Sequence, residues 1–142
     1  MKKLLLLLFV SAGLVSCDFS VNKKNKIGDK VSGEKIAGWY YYHVMDGSYD
    51  SLPQLMAEDF YSNKTQEGFV QELKERASEL GPIQSFTLKE WETLNVKTRK
   101  DNDTEFQFVY DIDYEKGKGE ETILLERKDH KIKITQIDFV KK

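Results

Sequence analysis

From Phe106 to Tyr114, apolar and polar side chains alternate. Phe106, Phe108, Tyr110, Ile112 and Tyr114 share one parity, while Glu105, Gln107, Asp111 and Asp113 share the other. A period of two sends these sets to opposite faces of a strand. The same period begins at Gln84, where Phe86, Leu88, Leu94 and Val96 share a parity that Glu90-Trp91-Glu92 interrupts. Read literally, Glu90 and Glu92 would point inward. A bulge reverses that order and buries Trp91, which avoids two unpaired inward carboxylates. Thr122 to Arg127 reads as a third strand. A fourth carries Ile132 and Ile134, then Ile137 and Phe139, and the parity slip at Thr135-Gln136 predicts a second bulge. Turns are predicted at 100–103, 115–119 and 128–130.

The pattern ahead of the strands is helical. Glu34 to Asp46 places Ile36, Tyr40, His43 and Gly47 on one face, flanked by Trp39 and Val44, and Tyr41, Tyr42 and Met45 make the helix apolar nearly all round. Pro53 opens a short second helix with Leu52, Leu55 and Met56, and Glu58 to Tyr61 leaves it as extended chain. Thr65 caps a third helix that runs to about Leu80, with a stripe of Phe69, Leu73, Arg76, Ala77 and Leu80. Arg76 lies on that stripe, and its head is expected to reach water. Gly81-Pro82 ends the helix. Three helices followed by four strands on short turns predict an α+β fold with an antiparallel meander, its apolar face covered by the helices.

Residues 18–33 show no period and read as a flexible tether. Before them, Lys2 and Lys3 precede the apolar run Leu4 to Val10, which is too short to span a bilayer and reads as a secretory leader. Leu14-Val15-Ser16-Cys17 closes that leader and resembles the lipobox of bacterial lipoproteins. The resemblance implies cleavage before Cys17, lipid attachment to its thiol, and a mature domain anchored in the cell envelope after export across the inner membrane. Asp18 resembles the enterobacterial signal for inner-membrane retention, and other bacteria follow other rules. The chain therefore divides into a signal peptide (1–16), a lipidated cysteine with tether (17–33) and one domain (34–142).

Within that domain, three stretches resemble the nuclear transport factor 2-like superfamily. They are the aromatic first helix ending in Met45-Asp46-Gly47-Ser48-Tyr49 with Leu52-Pro53-Gln54-Leu55-Met56 after it, Glu79-Leu80-Gly81-Pro82-Ile83, and Glu121-Thr122-Ile123-Leu124-Leu125 with Ile132-Lys133-Ile134. The resemblance implies three helices packed on a curved four-stranded antiparallel sheet, forming a cone whose interior holds ligands or catalytic groups.

Composition narrows the function. The 142 residues carry a net charge of −2, and loss of Lys2 and Lys3 with the leader makes it −4. A mildly acidic chain with mixed signs lacks the basic face that nucleic acid requires. The single cysteine forms no internal disulfide. His43 and His130 stand far apart without zinc-ligand spacing, and no phosphate-cradling glycine loop or Gly-x-Ser-x-Gly elbow occurs. No metal or cofactor is therefore expected. The acids of the Phe106–Tyr114 strand lie on the outward parity, as a solvated face would. His43 is the one titratable group on the first helix's apolar face and the weak catalytic candidate. Trp39, Tyr40, His43, Phe86, Phe108 and Tyr110 are the candidate pocket residues. The reading favoured is a non-catalytic domain held to the membrane through Cys17, binding an envelope protein or a small apolar ligand, with a homodimer as another partner. The rival is a small isomerase or dehydratase using His43.

Overall fold

A computed structural model describes residues 20–23, 27–97 and 102–142. The predicted leader, Cys17 and half of the turn predicted at 100–103 lie outside the described residues, and Asn102 and Asp103 open a strand. The fold is α+β. Five strands, β1 (Ser20–Lys23), β2 (Ile83–Lys97), β3 (Asn102–Tyr114), β4 (Gly117–Lys128) and β5 (Lys131–Lys141), form an open antiparallel sheet in sequence order. The predicted four-strand meander is thus present, with β1 added along β2. Helices α1 (Ile27–Asp46) and α2 (Gln66–Leu80) precede it. Among the described residues, no helix is long and apolar enough to cross a membrane.

Residues 20–23 and 27–33 carry regular structure where a tether was expected, and α1 starts seven residues before Glu34. The predicted second helix is instead a run of 3₁₀ turns at Tyr49–Ser51 and Pro53–Leu55, and a third turn replaces the extended chain predicted at Glu58–Tyr61. Pro53 lacks an N–H for a helical bond, and the extended backbone at Met56 and Ala57 interrupts the stretch, so it holds only single turns. Helix α2 agrees with its signals. The Thr65 hydroxyl accepts from Gly68 N at 3.0 Å, and Gly81 ends the helix at φ 78°.

Alternation in β3 is as predicted, with Phe106, Phe108, Tyr110, Ile112 and Tyr114 all buried. Asp111 and Asp113 pair with Lys142 and Lys118 at 2.7 and 3.3 Å on the wet side. Both bulges are present. The register shifts between Leu88 and Glu90, which turns Trp91 toward Phe108 and the core while Glu90 stays exposed. It shifts again opposite Thr135 in β5.

The buried face of α1 shares Tyr40 with the predicted one and is otherwise rotated from it. Gly33, Ala37, Tyr40 and Tyr41 are buried, whereas His43 is only half-buried and Gly47 is exposed. Steric fit selects this face. A Cβ at Gly33 would stand 2.5 Å from the Phe108 ring, so the helix crosses the sheet where its smallest residues lie. The rotation leaves Ile27, Val31, Trp39, Tyr42 and Met45 exposed on the outer side. At the far edge of the sheet, Met56 bridges Ile134 in parallel, and Ala57 N donates to Ile134 O at 2.8 Å.

Candidate functional site: a buried arginine–glutamate pair beneath a pocket

The turn between β3 and β4 is fastened to the end of α2. Lys116 N donates to Leu80 O at 2.8 Å, and Glu115 N donates to Pro82 O at 3.0 Å. This holds the last turns of α2 over the first residues of β4. Arg76, on the same helical stripe as Phe69, Leu73 and Leu80, therefore faces the sheet. Glu121 shares the inward parity of Ile123 and Leu125 and is 1% exposed. Arg76 Nη1 donates to Glu121 Oε2 at 2.6 Å.

Arg76 is thus corrected from a snorkelling surface residue to the partner of a buried acid, and a desolvated carboxylate does lie inside the fold, on β4 rather than β3. The physical reason is that a buried carboxylate is tolerated only with a cation and donors close by. The guanidinium stacks on Phe139, its Cζ 3.8 Å from the ring centroid. Phe139 in turn lies across Gly119, where a Cβ would meet the ring at 2.3 Å.

Three tyrosines complete the cluster. Burial pushes the Tyr40 and Tyr41 hydroxyls well above the ordinary phenol range, and the charge of Glu121 pushes them further. Both therefore stay protonated as donors. Burial also raises Tyr114, against the opposing charge of Arg76. Glu121 itself is pushed above the usual carboxylate range by burial, with Arg76 and then the Tyr41 hydroxyl acting against that rise. Tyr41 faces the carboxylate, but the two groups do not meet at full hydrogen-bond geometry. Glu121 Oε1 and the Tyr41 hydroxyl are both buried and have no hydrogen-bond partner among the described residues.

A pocket of about 290 Å³ opens beside this cluster, between α1, α2 and the start of β2. Arg76, Tyr40, Tyr114, Tyr49 and the carboxylate of Asp46 supply its polar lining, and Val44, Leu73 and Ile83 are among its apolar walls. Glu121 stands behind that lining. The arrangement presents cationic and hydroxyl donors to a small molecule that has an apolar body.

Of the predicted pocket residues, Tyr40 alone lines this pocket. Phe108 and Tyr110 are buried core, and Tyr110 lies 6.4 Å from Phe108. Phe86 stacks on Tyr41 at 4.3 Å and is partly open to solvent. Trp39 is 47% exposed on the outer side of α1. His43 stacks against Trp39 at 6.0 Å and meets the edge of Tyr42 at 5.5 Å, outside the pocket. Its buried Nδ1 lacks a partner among the described residues.

Arg76 and Glu121 were missed as a site, although a signal existed. Extending the third strand backward by one residue puts Glu121 on the Ile123 face, and Arg76 interrupts an otherwise apolar stripe. No family model matches the chain, and neither the curated proteins nor the solved structures contain a match to it.

Proposed function

We propose that the chain is a lipid-anchored domain of the cell envelope that holds a small, largely apolar ligand without transforming it. The lipobox-like Leu14-Val15-Ser16-Cys17 supports the anchor. The order of two helices and a long antiparallel meander is compatible with the nuclear transport factor 2-like cone. The observation that carries the binding reading is the pocket beside Arg76, Tyr40 and Tyr114. It combines apolar walls with a few convergent polar groups, the usual make-up of a small-molecule site. An enzyme reading through His43 has less support, because that imidazole lies outside the pocket and, among the described residues, its ring neighbours are Trp39 and Tyr42.

The test is native mass spectrometry of the full chain extracted from membranes of its host. A bound small molecule is expected on the wild type. Ala77→Trp, which places an indole in the pocket wall, is expected to lose it. A ligand retained unchanged by a folded Ala77→Trp protein, or a wild type without ligand, overturns the reading.

A further inference from the structure

We propose that the pocket receives a small monocarboxylate with an apolar body, its head group held by Arg76, Tyr40 and Tyr114, and that Glu121 takes up one proton from solvent as the head group arrives. The inference rests on the ligand-pocket reading above and adds the ligand's head group and its linkage to pH.

The argument starts from charge. With its partner ionised, the Arg76–Glu121 pair is neutral, and Glu121 Oε2 engages only Nη1 of a guanidinium that carries five N–H donors. The guanidinium also meets the Tyr114 hydroxyl, and the donors left over belong to a planar fork suited to a carboxylate. The pocket shows the Arg76 side to a ligand, while Glu121 is sealed behind it.

A second carboxylate on the same guanidinium would stand close to the first, which is itself cut off from water. Two like charges so placed do not both remain ionised, and one is neutralised. Glu121 is the group that yields. It is fully buried, and burial already favours its protonated form. The ligand head, nearer the pocket mouth, keeps more of its hydration.

The orphaned atoms fit this state. Glu121 Oε1 lacks a partner, as does the Tyr41 hydroxyl beside it. A proton on Oε1 turns that oxygen into a donor toward a hydroxyl oxygen with free acceptor capacity. The groups facing Glu121 are Arg76 from α2, Tyr40 and Tyr41 from α1, and Tyr110 and Tyr114 from β3. The tyrosines stay neutral near pH 7, because burial raises each of them. Asp46 stands exposed at the pocket margin, where the Ser48 hydroxyl donates to it. Glu121 is therefore the member of the cluster able to accept the proton.

Hexanoate and hexanol are suitable probes, with the full mature chain reconstituted in lipid nanodiscs and empty nanodiscs as the blank. Calorimetry in two buffers of different ionisation enthalpy counts protons. Hexanoate is expected to bind with proton uptake, up to about one proton per ligand, read as a difference in heat between the two buffers. Its affinity should fall about tenfold per pH unit at the alkaline end, while hexanol binding stays flat. Glu121→Gln is expected to bind hexanoate with the uptake and the pH slope removed. Should that variant fold poorly, the wild-type proton count decides alone. Hexanoate bound without proton uptake overturns the inference. Hexanol bound where hexanoate is not overturns it too, and leaves the ligand-pocket reading standing. No binding of either probe overturns both.

Discussion

Arg76 Nη1 and Glu121 Oε2 meet at 2.6 Å across 45 positions of sequence, one on a helix and the other on the strand beneath it. The contact ties α2 to the sheet through charge as well as through packing. Removing one member leaves the other buried and uncompensated. Glu121→Leu or Arg76→Met alone is expected to destabilise by about 3–5 kcal/mol in urea unfolding, whereas the double apolar replacement should recover most of the loss. Additive losses in the double variant would show that the two side chains act independently.

Stability should also depend on pH through Glu121. Its carboxyl is raised in the folded state above the ordinary value of 4.5. The folded chain then binds more protons than the unfolded one between the two values, so the stability gained from this group is full below the ordinary value and lost as pH rises through the folded one. Melting temperature measured across this window should decline with rising pH for the wild type and decline less in Glu121→Gln. A steeper decline in the variant would reverse the sign assigned here.

Close packing at Gly33 gives a sharper test of how α1 lies on the sheet. Gly33→Val forces a branched side chain against the Phe108 ring and is expected to lower stability by about 1–3 kcal/mol. Gly38, where a Cβ meets nothing, serves as the control: Gly38→Ala should be neutral or stabilising by up to about 1 kcal/mol. Equal effects at the two glycines in chemical denaturation would refute the placement.

The β4–β5 turn holds Asp129 at φ 48° and His130 at φ 64°. Two successive left-handed residues are the backbone of a primed hairpin turn, in which glycine follows aspartate most favourably. His130→Gly should raise stability by about 1 kcal/mol, read as a higher urea midpoint at unchanged slope.

The anchor is tested through the thiol. Cys17→Ser should stop incorporation of labelled palmitate and leave an uncut precursor. Label entering that variant at the wild-type level would remove the lipoprotein reading, and with it the proposed location.

Most of the sheet could be read from the sequence because its signals are local. Strict alternation in β3 and the parity slips at Glu90-Trp91-Glu92 and Thr135-Gln136 each state a face or a bulge within a few residues. Helix α1 was harder. A helix apolar on every side has no amphipathic stripe to declare which face turns inward, and that choice fell to Gly33 and Ala37, small enough to sit against Phe108. The start of α1 was missed because residues 27–33 mix Gly, Asp, Lys and Ser, whose helical state depends on tertiary packing. The site was legible only as a pair. Arg76 on an apolar stripe and Glu121 on an inward parity each look like an irregularity, and each makes sense once the other is opposite it.

The outer margin of β5 has a consequence for self-association. An edge strand of eleven residues with free backbone donors and acceptors invites another chain to add a strand. Here the middle of that margin is occupied by Met56 and Ala57, which pair with Ile134, and Lys131, Lys133, Lys141 and Lys142 stand toward its two ends. A covered centre between charged ends gives an incoming strand neither a continuous ladder nor a neutral approach. The domain thereby carries, in the two extended residues between its 3₁₀ turns, its own guard against fibrillar growth from this edge.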